Sequence, residues 1–167
     1  FHHSSTRSQD VDLLFFSHAV DTQLPSIDIG IPNVSRGFCS KTETILHVWA
    51  KLYLDIPYPD WFTGSQTATI EQSLLDLKTT GVFDVDGQHS KSWFFRADDD
   101  TSVNVTALTE VLAKYDPLDP VAIGQVYAYN QKPYMTGGAG VVFSATAIGA
   151  FARSGCRCRS PTDADDM

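Results

Sequence analysis

The stretch "WFFRADDDTSVNVTALTEVL", residues 93–112, joins an aromatic run, three consecutive aspartates and a segment of helical periodicity. Trp93 to Ala97 has the length and the side chains of a buried strand. Leu108, Val111, Leu112 and Tyr115 then fall on one helical face, with Asn104 placed to cap the start and Asp116-Pro117 to stop the helix. A strand that passes into a helix through a loop is the unit of an open α/β sheet. In such sheets ligands sit beyond the carboxyl ends of the strands, where Asp98, Asp99 and Asp100 stand.

The alternation continues on both sides. "VDLLFFS" (11–17) reads as a short buried strand. Ile45, Val48, Trp49 and Leu52 at i, i+3, i+4 and i+7 predict a helix over 42–54, ended by Pro57 and Pro59. "IEQSLLDLK" (70–78) suggests a short helix, "VAIGQVYAY" (121–129) a strand, and "YMTGGAGVVFS" (134–144) a glycine loop entering another strand. Ser144 is placed to cap a last helix that ends near Gly155. The pattern predicts one domain, an α/β sandwich with a largely parallel sheet.

Charge and composition exclude some functions. A net charge of −8 argues against nucleic acid as a partner, since phosphate binding needs a basic surface. A phosphorylated ligand remains compatible with an acidic protein if a divalent cation stands between the like charges. No apolar run approaches the roughly 20 residues of a membrane span, so an anchor would lie outside these residues. The start "FHHSSTRSQ" has none of the features of a signal peptide, and it opens on Phe1, as a fragment does.

Cys39, Cys156 and Cys158 are too few for a structural zinc site. Three free thiols are one reading; a long-range bridge with one cysteine left over, in a lumenal protein, is the other. A bridge within Cys156-Arg157-Cys158 would be strained. The sequons Asn33-Val34-Ser35 and Asn104-Val105-Thr106 lean towards the lumen.

Three adjacent aspartates repel one another, and a divalent cation relieves this while supplying hard oxygen ligands with a partner. A calcium loop of the EF-hand kind fails on spacing: counted from Asp98, its glycine position holds Val103 and its closing glutamate position holds Thr109. A cation held by one or two carboxylates keeps positions open for phosphates, which points to transfer from a nucleotide sugar. Gly137, Gly138 and Gly140 allow close approach of backbone to ligand, yet form neither a P-loop nor a dinucleotide fingerprint. The cluster Asp163-Ala164-Asp165-Asp166 offers the second acidic site that an inverting sugar transfer needs for deprotonating its acceptor.

Taken in order, "LPSIDIGIPNVSRGFCSKT" (24–42), "WFFRADDDTSVNVTALTEVLAKYDPLDPVAIG" (93–124), "YMTGGAGVVFS" (134–144) and "CRCRSPTDADDM" (156–167) resemble the fringe-like β-1,3-glycosyltransferases, a metal-dependent GT-A family. The resemblance implies a GT-A three-layer sandwich with a mostly parallel central sheet, expected to be incomplete at both ends. The nearest likeness within the family is to the branch that adds glucose to O-linked fucose on thrombospondin type 1 repeats. Core 1 galactosyltransferases and fringe N-acetylglucosaminyltransferases share parts of the pattern.

The resemblance implies a Mn²⁺-dependent, inverting β-1,3-hexosyl transfer from a UDP-sugar to O-linked fucose or GalNAc on a glycoprotein, in the lumen of the endoplasmic reticulum or Golgi. It implies Asp100 and Asp98 as metal ligands, with Asp98, Asp99, Lys41, Arg36, Gly137 and Gly138 around the nucleotide sugar. Asp166 is implied as the base, with Asp165 the neighbouring candidate. Residues 60–92 exceed the family's usual connection, and the family's further metal-binding histidine would follow Met167. A non-catalytic glycan- or protein-binding domain of the same fold is the competing reading, and the fragment alone is expected to have little activity.

Overall fold

The structure, a computed structural model, describes residues 11–19, 21, 24, 26–31, 38–80, 91–129 and 131–158. Its first half holds strands β1 (Phe15–Ser17) and β2 (Ser26–Asp28) and helices α1 (Phe38–Leu54) and α2 (Gly64–Thr80). Strand β3 (Trp93–Arg96), helix α3 (Val105–Leu112) and strand β4 (Ala122–Gly124) follow. Strands β5 (Val126–Tyr129), β6 (Lys132–Met135) and β7 (Val141–Ser144) lead into helix α4 (Ala145–Ser154).

Helix α1 organises the core because it is apolar on more than one side. Val48 packs with Ile27 and Ile29 at β2 and with Ile70, Leu74 and Leu77 of α2. On another side, Ile45, Leu46, Trp49 and Ala50 meet Phe94 of β3 and Ile148 of α4. Each such aliphatic or aromatic side chain, fully buried, contributes about 1.5–3 kcal/mol, so these two clusters dominate the stability of the described residues. The helix ends where Asp55 turns left-handed (φ 53°), with Pro57 beyond it.

Helix α2 is longer than the apolar run 70–78 suggests, and it is part of the core. The Ser73 hydroxyl oxygen accepts a hydrogen bond from the Asp28 N–H at 3.2 Å, and Gln66 Nε2 donates to Thr44 Oγ1 at 3.2 Å. Both bonds join α2 to the elements it covers. No helix among the described residues is long and apolar enough to cross a membrane.

The strands depart from the expected parallel sheet. Among the described residues only β1 and β2 pair in parallel; β7 lies between β3 and β4 and is antiparallel to both, and β5 with β6 forms an antiparallel hairpin. The physical reason lies in the connections. β3 and β4 do run in the same direction with α3 between them, as the alternation predicts. The chain then makes the β5–β6 hairpin and returns as β7, with no helix intervening, so β7 enters the sheet reversed. The run 121–129 is accordingly two strands in two sheets, broken at Gln125, whose carbonyl accepts the Thr136 N–H at 3.0 Å.

The predicted caps are present. Ser144 Oγ accepts from the N–H groups of Ala147 (3.1 Å) and Val121 (3.0 Å), while Gly155 ends α4 in the left-handed region. These bonds fix the junction of β7 and α4.

Among the described residues, the buried Glu43 Oε1, Tyr58 Oη, Trp61 Nε1 and both ring nitrogens of His47 have no hydrogen-bond partner, and His47 lies deepest of these residues. His47 is 1% exposed, its ring lies 5.8, 5.5 and 5.2 Å from those of Trp61, Phe62 and Phe151, and neither nitrogen is hydrogen-bonded. Burial holds its pKa below the ordinary 6.5. The unfolded chain therefore takes up a proton at this residue before the folded chain does, and stability falls as pH drops through the unfolded value. Urea midpoints measured between about pH 7.5 and about pH 5.5 are expected to decline in the wild type. His47→Leu is expected to decline less over the same interval. Parallel pH profiles for the two proteins would contradict this assignment.

Candidate functional site

Strands β3 and β7 pair with Arg96 opposite Val141. Being antiparallel, they set the chain leaving β3 beside the chain entering β7. The first carries Asp98, Asp99 and Asp100; the second carries Gly137, Gly138 and Gly140. Two sequence features far apart in the chain thus become neighbouring loops at one end of one sheet. Thr101 holds them together: its N–H donates to the Asp98 carbonyl at 3.1 Å, and its hydroxyl donates to the Gly138 carbonyl at 3.2 Å.

The glycines are not equivalent. Gly140 has φ +82°, and a Cβ there would stand 2.5 Å from Phe95 Cζ and 3.4 Å from the Arg96 carbonyl oxygen. Both the backbone angle and the space demand glycine. Gly140→Ala is expected to destabilise the fold by about 2–4 kcal/mol through overpacking and a strained φ. A lowered urea midpoint checks this, and an unchanged midpoint would show that the β3–β7 junction yields freely. At Gly138 a Cβ would lie 3.7 Å from Asp98 Oδ2, an ordinary contact, so sterics do not require glycine there. Gly137 is buried, and its carbonyl accepts the Gly140 N–H at 2.9 Å.

All three aspartates are exposed. Asp98 differs from the others because its Oδ1 lies 3.2 Å from Arg96 Nη2, on an arginine side chain that is only 12% exposed. That cation relieves part of the repulsion within the acid run and anchors Asp98 to the end of β3. The remaining carboxylates offer hard oxygen donors of the kind that suit Mg²⁺ or Mn²⁺. Among the described residues, no three His, Cys, Asp or Glu side chains converge on one point.

Other predicted residues are placed elsewhere or lie outside the description. Lys41 is half-buried in the first turn of α1, on a different element from the two loops. Arg36, Asp165 and Asp166 are outside the described residues. Sequence reasoning missed Arg96 and Thr101. Arg96 had a signal, a lone cation ending an aromatic strand two residues before the acids; Thr101 had none, because its role depends on strand pairing. The cysteines resolve to the long-range bridge, Cys39–Cys158, with Cα atoms 6.0 Å apart and Cys156 free and exposed.

The chain is 32% identical over 158 residues to a beta-1,3-glucosyltransferase of Mus musculus and 31% identical over 157 residues to that of Homo sapiens. Each alignment covers 92% of this chain and 25% of the relative, so the chain spans about a quarter of the length of these glucosyltransferases. A glycoprotein-N-acetylgalactosamine 3-beta-galactosyltransferase 1 of Xenopus laevis is 38% identical over 79 residues, 45% of this chain and 22% of the relative. The sequence model described as Fringe-like matches residues 4–164, from before β1 to beyond the Cys39–Cys158 bridge, and the chain therefore belongs to the Fringe-like family of glycosyltransferases.

Proposed function

We propose that the chain forms the donor-binding part of an inverting β-1,3-hexosyltransferase, which moves a sugar from a UDP-sugar to an O-linked sugar on a glycoprotein. The observation that carries this reading is the joining of the acid loop and the glycine loop through Thr101 and Gly138. Their juncture offers metal-binding carboxylates and close backbone approach side by side, as a nucleotide diphosphate sugar requires. Glucose is the favoured donor sugar, in keeping with the glucosyltransferase relatives. Galactose transfer to GalNAc is the second choice, in keeping with the galactosyltransferase relative.

Asp100 and Asp98 hold Mn²⁺ in this reading, and the cation when bound neutralises the diphosphate leaving group. Asp99, Gly137 and Gly138 line the donor pocket, and Lys41 and Arg36 supply positive charge to it. Asp166, with Asp165 as the alternative, takes the proton from the acceptor hydroxyl as that oxygen attacks the anomeric carbon. A single displacement of this kind inverts the anomeric centre. The Cys39–Cys158 bridge supports a lumenal site of action, because structural disulfides persist in oxidising compartments.

The test is a panel of UDP-sugars offered to the full-length protein, with and without Mn²⁺, using acceptors that bear O-linked fucose or GalNAc. Transfer from UDP-glucose to the fucosylated acceptor, only with Mn²⁺, is expected. Neither hydrolysis nor transfer of any UDP-sugar, in a protein that still binds the glycosylated acceptor, would instead favour a non-catalytic binding domain.

A further inference from the structure

Helix α3 leaves an apolar face open. None of its residues is buried: Leu108 is half-buried, Val111 is 37% exposed, and Tyr115, just past its end, is 46% exposed. Asn104, Leu108, Val111 and Tyr115 stand at i, i+4, i+7 and i+11, so they form a single stripe. The stripe is apolar at every position but the first. That first position, Asn104, opens the sequon Asn104-Val105-Thr106, which the metal and donor chemistry do not use.

The geometry at Asn104 suits a modified asparagine. The residue is exposed, and its Oδ1 accepts the Ala107 N–H at 3.0 Å to cap α3. No hydrogen bond to another described residue uses Nδ2. Capping and modification thus draw on different atoms of one amide, and a group attached to Nδ2 leaves the helix start intact.

We propose that Asn104 carries an N-linked oligosaccharide that lies over the apolar stripe of α3. In the coupling step Nδ2 loses one proton and bonds to the anomeric carbon of an oligosaccharide carried on a lipid diphosphate. The bond from that carbon to the diphosphate oxygen breaks, and the lipid diphosphate leaves. The C–H faces of the attached sugars then cover Val111 and Tyr115, an arrangement suited to rings that present an apolar face. Asn104 follows Asp100 by four residues, an extended reach of at most about 14 Å, so the glycan flanks the acid loop. The proposal rests on the lumenal compartment of the proposed function and is independent of the reaction catalysed.

The experiment passes the full-length protein through the secretory pathway of a eukaryotic cell. The peptide containing Asn104 is mapped by mass spectrometry before and after peptide N-glycosidase, which deamidates an asparagine that carried a glycan. Site-level mapping is needed because Asn33-Val34-Ser35 is a second sequon. Occupied Asn104 is expected in the wild type and in Thr106→Ser, and unmodified Asn104 in Thr106→Ala, which removes the sequon but keeps the cap. Thr106→Ala with an intact Cys39–Cys158 bridge is also expected to bind several-fold more of a hydrophobic dye. Unmodified Asn104 in wild-type protein whose bridge is formed overturns the proposal, as does full occupancy with equal dye binding in the two proteins. Unmodified Asn104 together with reduced Cys39 and Cys158 overturns the lumenal reading and the proposal with it.

Discussion

Asp100→Ala in the full-length protein is expected to cut sugar transfer by about 10²–10³-fold while leaving the fold intact, a loss of about 2.7–4 kcal/mol in transition-state stabilisation. The side chain is exposed and makes no hydrogen bond or ion pair with another described residue, so its removal frees no buried partner. Asp98→Ala is a less clean variant, because it also removes a carboxylate 3.2 Å from the largely buried Arg96 guanidinium. Steady-state rates across a Mn²⁺ titration, beside circular dichroism of both proteins, make the measurement. Partial recovery of Asp100→Ala at high Mn²⁺ would follow if the lost group is a ligand. A variant with the wild-type rate and wild-type metal dependence would remove Asp100 from the site.

The features that were legible in the sequence are those set by neighbours in the chain. Asn104, Ser144 and Gly155 were readable as caps because a cap depends on the few residues that follow or precede it. The core face of α1 was readable from its periodicity, and the acid loop from three like charges in a row. The start of α2 also had a local signal that went unread: the Gln66 N–H donates to Thr63 Oγ1 at 3.1 Å, and the Thr63-to-Gln66 spacing is that of a capping box. Strand direction was the principal error. Helices alternating with strands suggest a parallel sheet, but β7 reaches its place after a hairpin, and nothing near Val141 announces which strands it will separate.

The candidate site divides in the same way. Asp98, Asp99 and Asp100 were visible as residue types in a suggestive place, whereas the glycine loop alone was a weak signal. What brings the two loops together is the pairing of Arg96 with Val141, a contact between distant parts of the chain. Gly140 illustrates the gap between the two levels. Its identity is legible as a loop glycine, but the reason for it is the ring of Phe95 standing where a Cβ would be.

Removal of the Cys39–Cys158 bridge is expected to destabilise the folded chain by about 3–5 kcal/mol, the second large effect. The bridge joins the first turn of α1 to the segment beyond α4, across a sequence separation of 119 residues. By chain entropy alone, closing a loop of that length is worth about 5 kcal/mol to the folded state. Cys39→Ala with Cys158→Ala is the suitable pair, since Cys39 is 5% exposed and alanine leaves no buried hydroxyl. Cys156→Ser serves as control; that thiol is exposed and free, so its change is expected within about 0.5 kcal/mol of wild type. Urea midpoints of the three proteins decide the matter, and a double variant with the wild-type midpoint would refute a stabilising bridge. The consequence reaches the site as well. The bridge ties the α4 end of the chain back to α1, and α4 follows directly from β7, whose first residue, Val141, sits next to the glycine loop. A reductant that opens the bridge is therefore expected to loosen the register that keeps Gly138 against Asp98 and Thr101, lowering transfer at temperatures where the wild type remains folded.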